Sequence, residues 1–318
     1  MIIEAPKYFT IKHVENFIGD VSRYFESKEK KETGFVLNVS KIKEICLLGQ
    51  LILYKFISFT AENNCFEKPI IHGIDNPILK EQLGRSGFWE LINTYVKRPN
   101  DKKAIEKSYN NLKVVNENDL LIAPQQLLRE NGANEKKELE KMYLTKILDF
   151  YHNTQSAHTI CFCIAELLSN FWSHATRDTG TVMVAKGNKS FIDICFADTG
   201  GGIINSFRKS SPIYNRMTDR AIMVKALEKN VTSKPNSNHL GMGLYMINCI
   251  VSSGKNNMLK IFSDSQSYVC SGKVKGEHKR VSCWRGTITY LRLNIENLLS
   301  LDKIEELKTS SYMKIKWS

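Results

Sequence analysis

The sequence predicts an α+β two-layer sandwich preceded by a smaller α/β unit, and three observations predict it. Residues 181–197 hold two apolar strand-like runs joined by Gly187-Asn188. Residues 156–176 and 243–253 carry apolar positions at helical spacing. Between Gly34 and Tyr95, short β-rich runs alternate with helical ones. Strands run together with helices kept apart give an α+β arrangement, whereas alternation of the two gives α/β. At 318 residues, 42% hydrophobic and 25% charged, the chain has the length for two domains and an ordinary globular composition.

The elements follow in order. Phe35-Val-Leu-Asn-Val-Ser40 is short and β-rich, as a buried strand is. Residues 46–63 space Leu47, Leu51, Tyr54, Ile57 and Phe59 at roughly helical intervals, and Lys68-Pro-Ile-Ile-His-Gly73 reads as a second strand closed by glycine. Residues 76–95, with Leu79, Leu83, Phe88, Leu91 and Ile92, predict a second helix interrupted by Gly84 and Gly87. Residues 97–119 are polar and rich in Asn and Asp, which predicts a loop with an edge strand over 112–115. Residues 134–151 form a charged amphipathic helix suited to packing on either domain, or on a second copy in a homodimer. A helix over 156–176 leads into the strands 181–186 and 190–197, where the tight Gly-Asn pair marks a hairpin. After a polar stretch containing Pro212 and Pro235 come a helix over 243–253 and three strands, 258–263, 267–270 and 286–293.

Composition bounds the partners. The net charge of +12 suits an acidic partner, because clustered Lys and Arg concentrate anions. The lysines are scattered, however, so nucleic acid is not favoured. The eight cysteines lack paired zinc spacing, and most sit in apolar runs where a thiol acts as a small hydrophobe. No charged segment followed by an apolar stretch opens the chain. The longest apolar region, residues 45–59, is broken by Gln50 and Lys55 and falls short of the ~20 residues that span a bilayer. These features predict a cytoplasmic protein with reduced thiols and no membrane partner.

Three segments carry chemistry. Glu166 and Asn170, four apart on a predicted helix, project from one face, while Ile160, Ile164, Leu167, Leu168 and Phe171 supply the packing face. A carboxylate facing a cleft orients a water or hydroxyl for attack on phosphate, and an amide oxygen ligates a hard cation such as Mg²⁺. Alone, the pair is better described as a solvated helix face. Asp198 ends an apolar strand and precedes Gly200, Gly201 and Gly202. A carboxylate there can accept from an exocyclic amine, which discriminates adenine from guanine; alone, the segment also describes a β-turn. Gly241-Met242-Gly243-Leu244 opens a helix, where bare N–H groups and the helix dipole attract phosphate. The polar, breaker-rich residues 232–239 just before it suit a mobile lid. No Gly-Lys-Ser/Thr follows, so this is not a P-loop, and the dinucleotide glycine pattern is absent.

In this order and at these intervals the segments resemble the GHKL ATPase superfamily, over roughly residues 156–295. The resemblance implies the Bergerat ATP-binding fold, with ATP and Mg²⁺ as cofactors. It makes Glu166 the general base, Asn170 the Mg²⁺ ligand and Asp198 the adenine reader. Gly200, Gly202, Gly241, Met242, Gly243 and Leu244 line the pocket, and Thr287, in Trp284-Arg-Gly-Thr287, supports the adenine contact. His152-Asn153 and His158-Thr159 do not fit the phosphoacceptor pattern of histidine kinases. About twenty residues after Ile295 leave no room for the transducer domain of the gyrase, chaperone and mismatch-repair branches. The N-terminal unit resembles STAS domains in strand and helix order, but Cys46 and Leu47 stand where that family carries its regulatory Asp-Ser pair. A degenerate STAS-like scaffold for protein contacts is implied instead of a phosphoswitch.

The resulting organisation is a STAS-like domain over 1–125, a helical connector over 126–152, a GHKL-type domain over 153–300 and a tail over 301–318. The implied function is a regulatory ATPase that uses nucleotide state to control protein contacts through its N-terminal domain. The alternatives are a serine/threonine protein kinase of anti-sigma type, a non-catalytic ATP-binding interaction module, and a nucleic-acid-associated ATPase.

Overall fold

The structure, a computed structural model, describes residues 2–26, 36–63, 70–98, 101–112, 119–127, 132–152, 154–174, 181–234, 241–272, 274 and 276–304. In the N-terminal unit, β1 (Ile2–Glu4), β3 (Val36–Asn38) and β5 (Ile70–His72) form a parallel sheet in the order β1-β3-β5, and β2 (Tyr8–Phe9) pairs in parallel with β4 (Glu44–Ile45). Around them lie α1 (Val14–Glu26), α2 (Leu47–Asn63), α3 (Pro77–Ser86), α4 (Phe88–Lys97) and α5 (Lys102–Asn110). The order β3, α2, β5, α3 is the alternation the sequence predicts.

Two segments differ from expectation. The helix predicted over 76–95 is two helices: Asn76 caps α3 by accepting from the N–H of Ile78 and Leu79, and the N–H of Gly87 closes it on the Gly84 carbonyl before α4 begins. The polar stretch expected to be a loop contains α5, because Asp101 accepts from the N–H of Ala104 at 2.9 Å and Ile105 buries against the core. Asp at a helix start satisfies an orphan donor, so a polar cluster here starts a helix. Leu112 lies outside any strand, and residues 113–115 of the expected edge strand lie outside the described residues.

The C-terminal half is an antiparallel sheet of β6 (Leu120–Leu127), β7 (Thr181–Gly187), β8 (Phe191–Ala197), β9 (Met258–Ser271) and β10 (Glu277–Asn294), in the order β6-β7-β8-β10-β9. Strand β6 was not anticipated and straddles the expected boundary at 125. It pairs with β7 from Leu120 opposite Gly187 to Leu127 opposite Thr181, so the sheet begins before the connector. Pro124 sits at a register shift in this edge strand, where its missing N–H is tolerated. Helices α6 (Gly132–Tyr151) and α7 (Thr154–His174) follow and pack together, with Leu139, Tyr143 and Ile147 of α6 buried. The expected connector helix is therefore a layer of the fold.

The 203–240 stretch also differs. It holds α8 (Gly202–Ser210), a 3₁₀ turn (Pro212–Arg216) and α9 (Asp219–Ala226), joined by a small core of Ile204, Phe207, Ile222 and Ala226. Residues 235–240, at the end of the expected lid, lie outside the described residues. Helix α10 (Gly243–Ser253) follows, and the three predicted strands are two long ones of 14 and 18 residues. The charged residues 277–280 pair with β9 because that end of the hairpin lies along α1. Residues 301–304 form a helical turn, and the rest of the tail, 305–318, lies outside the described residues. Among the described residues no helix is long and apolar enough to cross a membrane.

Both faces of this sheet are covered. Met183, Ala185, Ile192, Ile194, Leu259, Ile261, Leu291 and Leu293 share a core with α6, α7 and α10. The alternate residues Val182, Val184, Cys195, Ala197, Phe262, Ile288 and Tyr290 share a core with the N-terminal unit. Helix α2 is buried around most of its circumference because it runs between the sheet and α4, and its residues are accordingly mostly apolar.

One ion cluster pins α1 to the sheet. Lys260, only 7% exposed on β9, and Lys279 on β10 each place Nζ 2.9 Å from a Glu15 carboxylate oxygen. Burial pushes the Glu15 carboxyl up, but the two ammonium groups outweigh it and hold it below its usual range. Replacing Glu15 leaves a buried ammonium without its partner, which is costly. Glu15→Gln should destabilise the fold by about 2–3 kcal/mol, below the cost for a fully enclosed pair because Glu15 is partly exposed. Urea unfolding checks this; an unchanged midpoint would mean the cluster holds nothing.

Candidate functional site

A cavity of about 470 Å³ opens at the end of β8, between α7, α8 and the start of α10. It is lined by Glu166 and Asn170 from α7, Asp198 after β8, Gly202 at the start of α8, Gly241, Met242, Gly243 and Leu244 at the start of α10, and Thr287 from β10. The structure thus brings together nine of the ten residues singled out in the sequence. The tenth, Gly200, is not among the lining residues; its N–H donates to Asp198 Oδ1 at 2.8 Å. That Asx-type turn fixes the carboxylate.

Asp198 is held from three directions. Its N–H donates to the Thr287 carbonyl at 2.9 Å, and its own carbonyl accepts from Trp284 Nε1, also at 2.9 Å. Trp284 is fully buried and lies where β10 shifts register against β9 on both sides of it. A bulge beside a site re-aims the following side chains, here Thr287. Gly286, with φ of +104°, passes so close that a Cβ would lie 2.6 Å from Asp198 Oδ1. Only glycine fits there without strain.

The other wall is a helix start. Helix α10 begins after Met242 with no side-chain cap, so its first N–H groups face the cavity end with the positive pole of the helix. Gly243 packs directly on the Glu166 carboxylate, which would have to move to admit a side chain there. Two buried polar atoms on the lining, Asn170 Nδ2 and Thr181 Oγ1, have no hydrogen-bond partner among the described residues. Such orphans are rare in native interiors and call for an explanation.

Several residues of the site were not singled out. Ser263 on β9 accepts from the N–H of Ile203 at 2.7 Å and donates to the Gly286 carbonyl at 3.1 Å, and its Oγ lies 3.3 Å from Thr287 Oγ1. Asp264 accepts from the N–H of Ile204 at 3.2 Å and from Asn205 Nδ2 at 2.7 Å, so β9 holds the first turn of α8. The signal was Ser263-Asp264-Ser265-Gln266-Ser267, a polar run between the apolar ends of one strand. Phe171, Phe196 and Phe207 supply apolar wall.

No family model, curated protein or solved structure matches the chain.

Gly286→Ala should push Asp198 out of place and cost about 1–3 kcal/mol of stability through the forced left-handed backbone. Thermal unfolding, with backbone amide shifts of residues 198–200, checks this, and unaltered shifts would show that the close approach is not required. Asp264 gives a pH signature. Burial raises its carboxyl from 3.8 to about 6, against the hydrogen bonds that favour the anion. The folded state therefore keeps a proton that the unfolded chain releases near pH 4. The stability this contributes is complete below the unfolded value and is lost as pH rises through 6. Relative to Asp264→Asn, the wild type should lose about 2–3 kcal/mol between pH 4 and 7. A parallel pair of stability curves would refute the burial effect.

Proposed function

We propose that this chain binds Mg²⁺-ATP in the cavity at the end of β8 and hydrolyses it, with nucleotide state controlling the contacts of the N-terminal unit. The observation that carries the proposal is convergence: four separate segments, each ambiguous alone, line one cavity. Its volume lies within the usual range for small-molecule sites.

The residues fit the ligand in kind. A carboxylate has acceptor capacity beyond the one Gly200 N–H on Oδ1, so Asp198 can take a hydrogen from an exocyclic amine and turn away the carbonyl of guanine. The uncapped start of α10 suits phosphate. Asn170 lines the cavity and carries an amide oxygen of the kind that ligates Mg²⁺, an ion that binds through few protein ligands plus phosphates and water. Bound Mg²⁺ would neutralise phosphate charge; Glu166, one helical turn from Asn170, would take the proton from the attacking water.

Calorimetric titration with Mg²⁺-ATP and Mg²⁺-GTP, followed by phosphate release, tests the proposal. Wild type should bind ATP in preference to GTP, and Asp198→Asn should lose binding. Glu166→Ala should keep binding and lose turnover by about 100-fold or more. Undiminished ATP binding by Asp198→Asn would sink the adenine assignment, and undiminished release by Glu166→Ala would sink the general base.

A further inference from the structure

We infer that Thr181 is a base-contacting residue whose hydroxyl completes the adenine end of the cavity beside Asp198. The inference rests on the nucleotide reading above and adds a ligand contact to it. Thr181 opens β7, and the next residue, Val182, pairs with Ala197, the residue before Asp198. Val182 and Ala197 are both buried in the core shared with the N-terminal unit. Because successive side chains in a strand point to opposite faces, Thr181 and Asp198 turn to the other face, where both line the cavity.

The burial of Thr181 is what requires a partner. It is 2% exposed, and its Oγ1 has no hydrogen-bond partner among the described residues. A buried hydroxyl left unsatisfied costs about 1–3 kcal/mol, and valine has the same shape without that cost. The strand continues Val182-Met-Val-Ala, so an apolar residue would suit the sheet equally well. The hydroxyl therefore answers to what enters the cavity, and Phe171 and Phe196 on the same lining give a planar base its apolar walls.

The pairing of chemistries selects the base. A carboxylate only accepts, and it takes the amine hydrogen of adenine. The ring nitrogens flanking that amine position only accept, and a hydroxyl donates to one of them. Thr181 and Asp198 thus present a donor and an acceptor to the adenine edge, which carries the complementary pair.

Calorimetry on the full chain tests the assignment, with Mg²⁺-ATP and Mg²⁺-ADP titrated into wild type, Thr181→Val and Thr181→Ser, and with melting of each protein free of nucleotide. Thr181→Val should bind both nucleotides about five- to tenfold more weakly, since one neutral hydrogen bond is lost at the base and not at the phosphates. Thr181→Ser should bind within about twofold of wild type, and Thr181→Val alone should melt no lower than wild type, because the hydroxyl bonds nothing among the described residues. Wild-type affinity in Thr181→Val overturns this inference alone. So does a loss confined to ATP, or a matching loss of stability in the nucleotide-free variant. Failure of wild type to bind either nucleotide overturns the nucleotide reading and this contact with it.

Discussion

The central constraint is that an antiparallel sheet is buried on both faces. Sheets of this kind commonly keep one face in water, but here α6, α7 and α10 take one side and the N-terminal unit takes the other. The strands are accordingly near-continuous apolar runs, and β7 is buried along almost its whole length. Every polar group inside must then find a partner. Asp193 on β8 accepts two parallel bonds from Arg292, each 2.7 Å, and a third from Tyr290, also 2.7 Å. Such a charge-assisted fork is among the stronger interactions available to a buried carboxylate.

A sheet closed on both faces leaves its strand ends as the place for a ligand. Beyond Ala197 the β8–β10 pairing stops, β10 bulges around Trp284, and the chain turns through Asp198 into α8. Two helices, α8 and α10, begin at this same edge. The first turn of α8 is satisfied from within the protein by Ser263 and Asp264, whereas α10 starts without a side-chain cap. The polarity of the cavity thus comes from strand and helix termini, where backbone groups lack regular partners.

What was legible follows from locality. Helix α7, the β7–β8 hairpin and α10 are each marked by their own periodicity and turn residues, so they read correctly one at a time. The site residues were legible for a related reason, since Glu166 with Asn170, Asp198 with its glycines, and Gly241 with Gly243 are short, local patterns. Strand β6 was not legible because it holds Pro124 and two glutamines and earns its place only by pairing with β7, sixty residues away in sequence. Helix α5 was masked by Asn and Asp residues that serve as caps as readily as loops. The polar end of the β9–β10 hairpin reads as loop unless α1 is known to lie on it, and no local rule reveals that Thr181 is buried or that Gly286 abuts Asp198.

The two halves of the chain are mechanically one at the cavity. Thr181, Asp198 and Thr287 line it, and each is joined through a planar peptide to a residue on the opposite face: Val182, Ala197 and Ile288. These three are packed under the N-terminal unit, in an interior too dense to deform gradually. A strand rotation that repacks one row therefore displaces the other. Trp284 makes the link direct. Its indole is buried in the core shared with the N-terminal unit, while its Nε1–H holds the Asp198 carbonyl. Among the described residues none of the N-terminal unit lines the cavity, yet the packing of that unit bears on where the Asp198 carboxylate stands.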